Sequence, residues 1–172
     1  MKKLAMALAM TALINGTALQ AAETAPCIPP EQAEDLVTYL LPAALDAAGT
    51  KCATNLPPSA AMLQTDSAQY AKYRHSAEQA WPGAKLVIGV LAGDKFPKDM
   101  DLDAVRPMID AMIPTMIAQE IKPGDCETID QFYTLLEPLP SANLASLTVL
   151  IIQQATDKKD KDPLNICKMK EE

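Results

Sequence analysis

Apolar residues return every three or four positions along this chain, in segments bordered by prolines, and that spacing predicts helices. Pro29 and Pro30 suit a first helical turn. Behind them Ala33, Leu36, Val37, Leu40, Leu41, Ala44 and Leu45 form one stripe, with Glu31, Glu34 and Asp35 at the positive end of the helix dipole. Gly49 is the expected stop. Pro42 is the expected kink, since proline removes a backbone hydrogen bond at a cost of about 3 kcal/mol. A second helix is expected to open at an Asp66/Gln69 capping pair, to carry Tyr70, Tyr73, Ala77 and Trp81 on one stripe, and to end at Pro82 and Gly83. The run KLVIGVLA over 85–92 fits a buried strand as well as a buried helix and is assigned helix.

A fourth helix is predicted from Asp101 or Asp103 to Ile121, interrupted by Pro107 and Pro114. The fifth places Ile129, Phe132, Tyr133 and Leu136 at i, i+3, i+4, i+7. A turn at Pro138 and Pro140 leads to a sixth helix capped by Ser141. Its centre, LTVLII over 147–152, is apolar almost all round, which predicts a place in the middle of the core and antiparallel packing on the fifth. The fold class expected is all-α, a compact array of five or six short, proline-broken helices stapled by two disulfides.

The first residues follow a different logic. Lys2 and Lys3 precede an apolar run from Leu4 to Ile14 and a small, polar stretch from Asn15 to Ala22. Eleven apolar residues engage an export channel but fall short of the roughly 20 that span a bilayer. The division expected is a cleavable signal peptide over 1–22, cut near Ala21 or Ala22, a helical domain over 23–156, and a charged tail over 157–172 tied down by Cys167. Thr24, Ala25 and Pro26 before Cys27 do not make a lipid-attachment site. The mature chain is expected to be soluble and periplasmic, with no membrane span.

In that oxidising compartment four cysteines, Cys27, Cys52, Cys126 and Cys167, read as two disulfides. None forms a C-x-x-C, so neither a zinc site nor a redox pair is indicated. An unbroken first helix holds Cys27 and Cys52 at opposite ends, too far apart for a bond, unless it folds back at Pro42. This ranks Cys27 with Cys167 and Cys52 with Cys126 ahead of the sequential pairing, which stays open.

The signal holds two basic residues and no acid, so the remainder carries 13 basic against 22 acidic residues, a net −9. That charge excludes nucleic acid as a partner, which needs a basic surface. A periplasmic protein or a small apolar ligand remains as partner class, with the oligomeric state open.

Candidate chemistry is sparse. Met108, Met112 and Met116 repeat at steps of four, and thioethers are soft ligands for Cu(I). Interleaved Val105, Ile109, Ile113 and Ile117 instead suggest a broad core face with methionine as filler. His75 falls opposite the aromatic stripe, in solvent, and Arg74 is expected to pair with Glu78 one turn on. No G-x-S-x-G, S-x-x-K or H-E-x-x-H occurs, so no catalytic residue and no cofactor is assigned. The expected function is a non-catalytic, exported interaction or accessory protein. Copper handling through the methionine stripe is the alternative, and a carboxylate-based hydrolase a weaker one.

Overall fold

The computed structural model describes residues 27–93, 97, 99–156 and 164–167. The expected signal peptide and its cleavage site, and most of the expected tail, lie outside the described residues. Five α-helices follow one another: α1 (Pro30–Cys52), α2 (Ala68–Ala92), α3 (Leu102–Glu120), α4 (Cys126–Leu135) and α5 (Ser141–Thr156). Short 3-10 turns at Ala61–Leu63 and Pro123–Asp125 precede α2 and α4. No described helix is long and apolar enough to cross a membrane.

Helix α1 is the axis, against which α2, α3 and α5 all pack. Alanines make the α1–α2 seam close: Ala33, Ala47, Ala48, Ala77, Ala80 and Ala84 are all buried. At Gly83 the approach is tighter still, because an added Cβ there would lie 1.8 Å from Oδ2 and 2.9 Å from Cβ of Asp35.

Two apolar clusters lie along this pair. One joins Ile28, Leu36, Tyr39, Trp81, Val87, Val149 and Ile166, while the other joins Leu45, Cys52, Met62, Tyr70, Tyr73, Cys126 and Tyr133. Each has a disulfide at or beside it. Cys52 bonds Cys126 within the second cluster, and Cys27 bonds Cys167 beside the first. The pairing is the one ranked first on geometry. Helix α1 runs unbroken through Pro42 for 23 residues, about 34 Å at 1.5 Å per residue, so its two ends cannot meet.

Several boundaries differ from expectation. The helices are not broken by proline: α1 continues through Pro42 and past Gly49, α3 through Pro107 and Pro114, and α2 through Pro82 and Gly83, absorbing 85–92 as one 25-residue helix. Pro82 and Pro107 are exposed, as are Glu78 and Asp103 four residues earlier. The carbonyls that these prolines leave without an N–H partner therefore lie on wet faces, where water satisfies them. The cap of α2 is Ser67, whose Oγ accepts the Tyr70 N–H, rather than an Asp66/Gln69 pair. Gln69 is buried instead, donating its Nε2 to the Tyr133 carbonyl at 2.7 Å.

Two expectations about α5 and α4 are overturned. The 147–152 centre of α5 is not in the middle of the core: Val149 is buried, but Leu147, Leu150 and Ile151 face outward. Helix α4 packs chiefly on the Ala61–Leu63 turn and α1, not as a hairpin on α5. The α4–α5 turn is held to α2 instead, where Lys72 Nζ donates to the carbonyls of Glu137 at 2.8 Å and Leu139 at 3.0 Å. Ser141 does not cap α5 but begins it, its Oγ 3.0 Å from that of Ser76. Around Cys167 the tail is packed, as the bond to Cys27 requires. Ile166 pairs with Ile28 in an isolated parallel bridge, through Ile28 N to the Asn165 carbonyl at 2.9 Å and Cys167 N to the Ile28 carbonyl at 2.8 Å.

Candidate interaction surface on helix α3

Helix α3 has no fully buried residue. It rests on Leu102 and Ile113, which lie partly buried against the first cluster, and on a polar clasp. At the centre of the clasp the Arg106 guanidinium sits 4.8 Å from the Trp81 ring centre and 5.6 Å from that of Tyr39. The two rings are themselves 4.9 Å apart and tilted at 47°. Arg106 Nη2 donates to Glu78 Oε1 at 2.6 Å. Its Nε is buried without a hydrogen bond, and the Asp110 carboxylate, at 3.6 Å, is close enough for an ion pair only.

Carboxylates close the clasp. The Tyr39 hydroxyl donates to Asp110, the Trp81 Nε1–H to Asp103, and Lys85 Nζ to the other Asp103 oxygen at 2.8 Å. The Lys85 and Trp81 hydrogen bonds hold the Asp103 carboxyl below the usual carboxylate range, whereas burial and then the Asp110 bond push the Tyr39 phenol up. The Glu78 bond raises the Arg106 guanidinium further, so the clasp stays charged at neutral pH.

The consequence lies on the opposite face. Helix α3 contains four charged residues, Asp103, Arg106, Asp110 and Glu120, and the first three are engaged in the clasp. At 100° per residue the arc facing away from α1 holds Ala104, Val105, Pro107, Met108, Ala111, Met112, Thr115, Met116, Ala118 and Gln119, none charged and all exposed except the half-buried Val105 and Ala118. Met108 is 56 % exposed, Met112 54 % and Met116 62 %. The reading of these methionines as core is therefore wrong: Ile109, Ile113 and Ile117 take the inner positions and turn the sulfurs outward. A solvent-facing helix ordinarily carries its charges outside. Here the charges gather on one flank, where Asp103 and Asp110 stay half-exposed in the clasp, and the outermost face has none.

The remaining sequence candidates are dispersed. His75 is exposed, as expected, with Nε2 3.2 Å from Gln79 Nε2. Arg74 does not pair with Glu78, which is taken by Arg106; it lies over the Tyr70 ring at 6.0 Å. The Tyr70, Tyr73, Ala77 and Trp81 stripe is buried in the core rather than lining a groove. Met108, Met112 and Met116 share one face, but eight residues of helix rise about 12 Å, so one ion reaches two neighbouring sulfurs at most. Among the described residues no group of three or more His, Cys, Asp or Glu is placed to hold a metal. A pocket of 180 Å³ lined by Gln64, Ser67, Gln69, Tyr133, Thr134 and Glu137 falls below the roughly 300–1,000 Å³ of small-molecule sites.

The clasp was not legible in the sequence as a site, since its members come from three helices. One signal was present: every charge of α3 before Glu120 falls on the side of the isoleucines, away from the methionines. Compared with known protein families, curated proteins and solved structures, the chain matches none of them.

Proposed function

We propose that the protein is a non-catalytic, exported interaction or accessory protein, and that the outer face of α3 is the surface by which it binds another protein. The observation that carries this reading is the segregation of charge on α3: Asp103, Arg106 and Asp110 are tied to α1 and α2 along one flank, and the methionine-rich face beside them is uncharged and exposed. Contiguous exposed apolar surface costs solubility, and a chain that retains it while committing Asp103, Arg106 and Asp110 to partners on one flank is built for that face to be covered. Methionine suits such a face because its unbranched thioether adapts to irregular partners. Export is supported by the secretion-type N-terminus and by the two disulfides, which persist in oxidising compartments.

A photo-crosslinking residue at Ala111, in cells exporting the full chain, tests the reading against the same residue at Asn55 in the turn after α1. The expected result is one discrete adduct from Ala111 only, lost in a Met108→Glu/Met112→Glu variant of unchanged melting temperature, whose identified partner binds the purified chain. Equal adducts from both positions, or none from Ala111, count against it.

A second reading, copper handling, gains from the exposure of the three sulfurs. It separates cleanly from docking: changing Met108, Met112 and Met116 to Leu keeps the face apolar but removes every thioether. Loss of Cu(I) binding in a competition titration with partner binding retained supports copper alongside docking. Absence of Cu(I) binding in the unmodified chain removes the copper reading.

A further inference from the structure

We infer that the occupant of the α3 face is an amphipathic helix of another protein, its apolar stripe bordered by lysine or arginine; this rests on the docking reading above. Shape is the first argument. The face runs along one continuous helix of 19 residues, about 28 Å at 1.5 Å per residue, which an antiparallel or parallel helix of about five turns matches in length.

Charge is the second. The outward arc itself is neutral, but its borders are acidic: over 94–127 the chain carries eight acidic residues against four basic ones. Arg106, Asp103 and Asp110 are committed to the clasp, which leaves six acidic against three basic residues. Asp99 and Asp101 stand before the helix; Glu120 ends it, and Asp125 and Glu127 follow beyond Lys122. A second copy of this chain meets like charge in either arrangement. Antiparallel pairing of two α3 faces sets Asp101 against Glu120, and parallel pairing sets each against its own copy. Juxtaposed like charges suppress an association, and opposite charges steer it. The partner that fits is apolar in the middle and basic at its margins.

The test uses the full mature chain with its disulfides intact and carbon-13 in the methionine ε-methyl groups, assigned through single Met→Leu variants. Three synthetic helical peptides share one leucine–alanine stripe and differ only in bordering it with lysine, glutamate or serine. The expected result is that the lysine-bordered peptide shifts the Met108, Met112 and Met116 signals and leaves that of Met62, buried in the second cluster, in place. Its affinity is expected to exceed that of the glutamate-bordered peptide by about tenfold or more, to fall with added salt, and to fall in Glu120→Lys.

Equal binding of the three peptides overturns the basic-partner inference and leaves the docking reading standing. Failure of all three to move the methionine signals also overturns it, while the docking reading is still decided by the Ala111 crosslink, which does not depend on partner charge. Movement of the three signals with protein concentration alone identifies a second copy as the occupant and overturns the inference.

Discussion

The Arg106 guanidinium stacks 4.8 Å from the centre of the Trp81 ring, while its Nη2 reaches Glu78, one turn earlier on the same helix. This contact between α3 and α2 ties down a helix that buries little else. It also explains why the outermost face of α3 has no charge: Asp103, Arg106 and Asp110 are drawn to the flank that meets α1 and α2.

Arg106→Ala is therefore expected to destabilise the fold by about 1–3 kcal/mol, through loss of the aromatic stacking and of a charged hydrogen bond. Lys85→Ala, which removes a half-exposed pair with Asp103, is expected to cost less than about 1 kcal/mol. Urea unfolding of both variants checks the ranking; a Lys85 effect equal to that of Arg106 would place the clasp elsewhere.

Gly83→Ala is expected to be harmful, although alanine ordinarily improves a helix interior by about 1 kcal/mol over glycine. The new methyl would meet the Asp35 side chain back to its Cβ, 2.9 Å away, which no change of rotamer moves, so α1 and α2 must separate, at about 1–3 kcal/mol. Adding Asp35→Gly, which removes the Cβ that the new methyl meets, should recover part of the loss, whereas Asp35→Ala keeps that Cβ 2.9 Å away. A double-mutant cycle in urea reads the coupling directly.

The two carboxylates of this region respond to pH in opposite directions. Asp103 is held down by its Lys85 and Trp81 bonds, so the folded chain binds its proton less readily than the unfolded one; its contribution is present above pH 3.8 and lost as the pH falls below that. Asp35 is pushed up, first by burial and then by Glu34 and Glu31, so its ionised form destabilises the fold at neutral pH and is relieved as the pH falls through its raised value towards 3.8. Asp103→Asn should lower the melting temperature at neutral pH, with the difference shrinking as the pH falls below 3.8. Asp35→Asn should raise it at neutral pH, with the gain fading in acid. Melting curves across that range test both signs.

Access distinguishes the disulfides. Cys52 and Cys126 are buried in the second cluster, whereas Cys27 is exposed and Cys167 half-buried. Mild reduction followed by alkylation and mass spectrometry should label Cys27 and Cys167 first, because thiol–disulfide exchange requires access to a sulfur. Removing either bridge is expected to cost about 2–5 kcal/mol. Simultaneous labelling of all four cysteines would contradict the ordering.

The sequence alone determined that the chain is helical, where most helices lie, and that four cysteines form two bridges; periodicity and parity are local or countable properties. It also favoured the disulfide pairing observed, since the length of α1 separates Cys27 from Cys52, but the expected kink at Pro42 left the sequential pairing open until the unbroken helix closed it. It misjudged the prolines, because whether Pro82 ends a helix depends on whether the carbonyl it strands is wet, and the packing of α2 on α1 decides that. It misplaced Met108, Met112, Met116 and the centre of α5 for one shared reason. An apolar stripe records that a face avoids water, but only the tertiary arrangement shows whether the chain itself covers that face. On α3 it does not: Leu102, Arg106 and Ile113 take the inner positions, and the methionines remain outside.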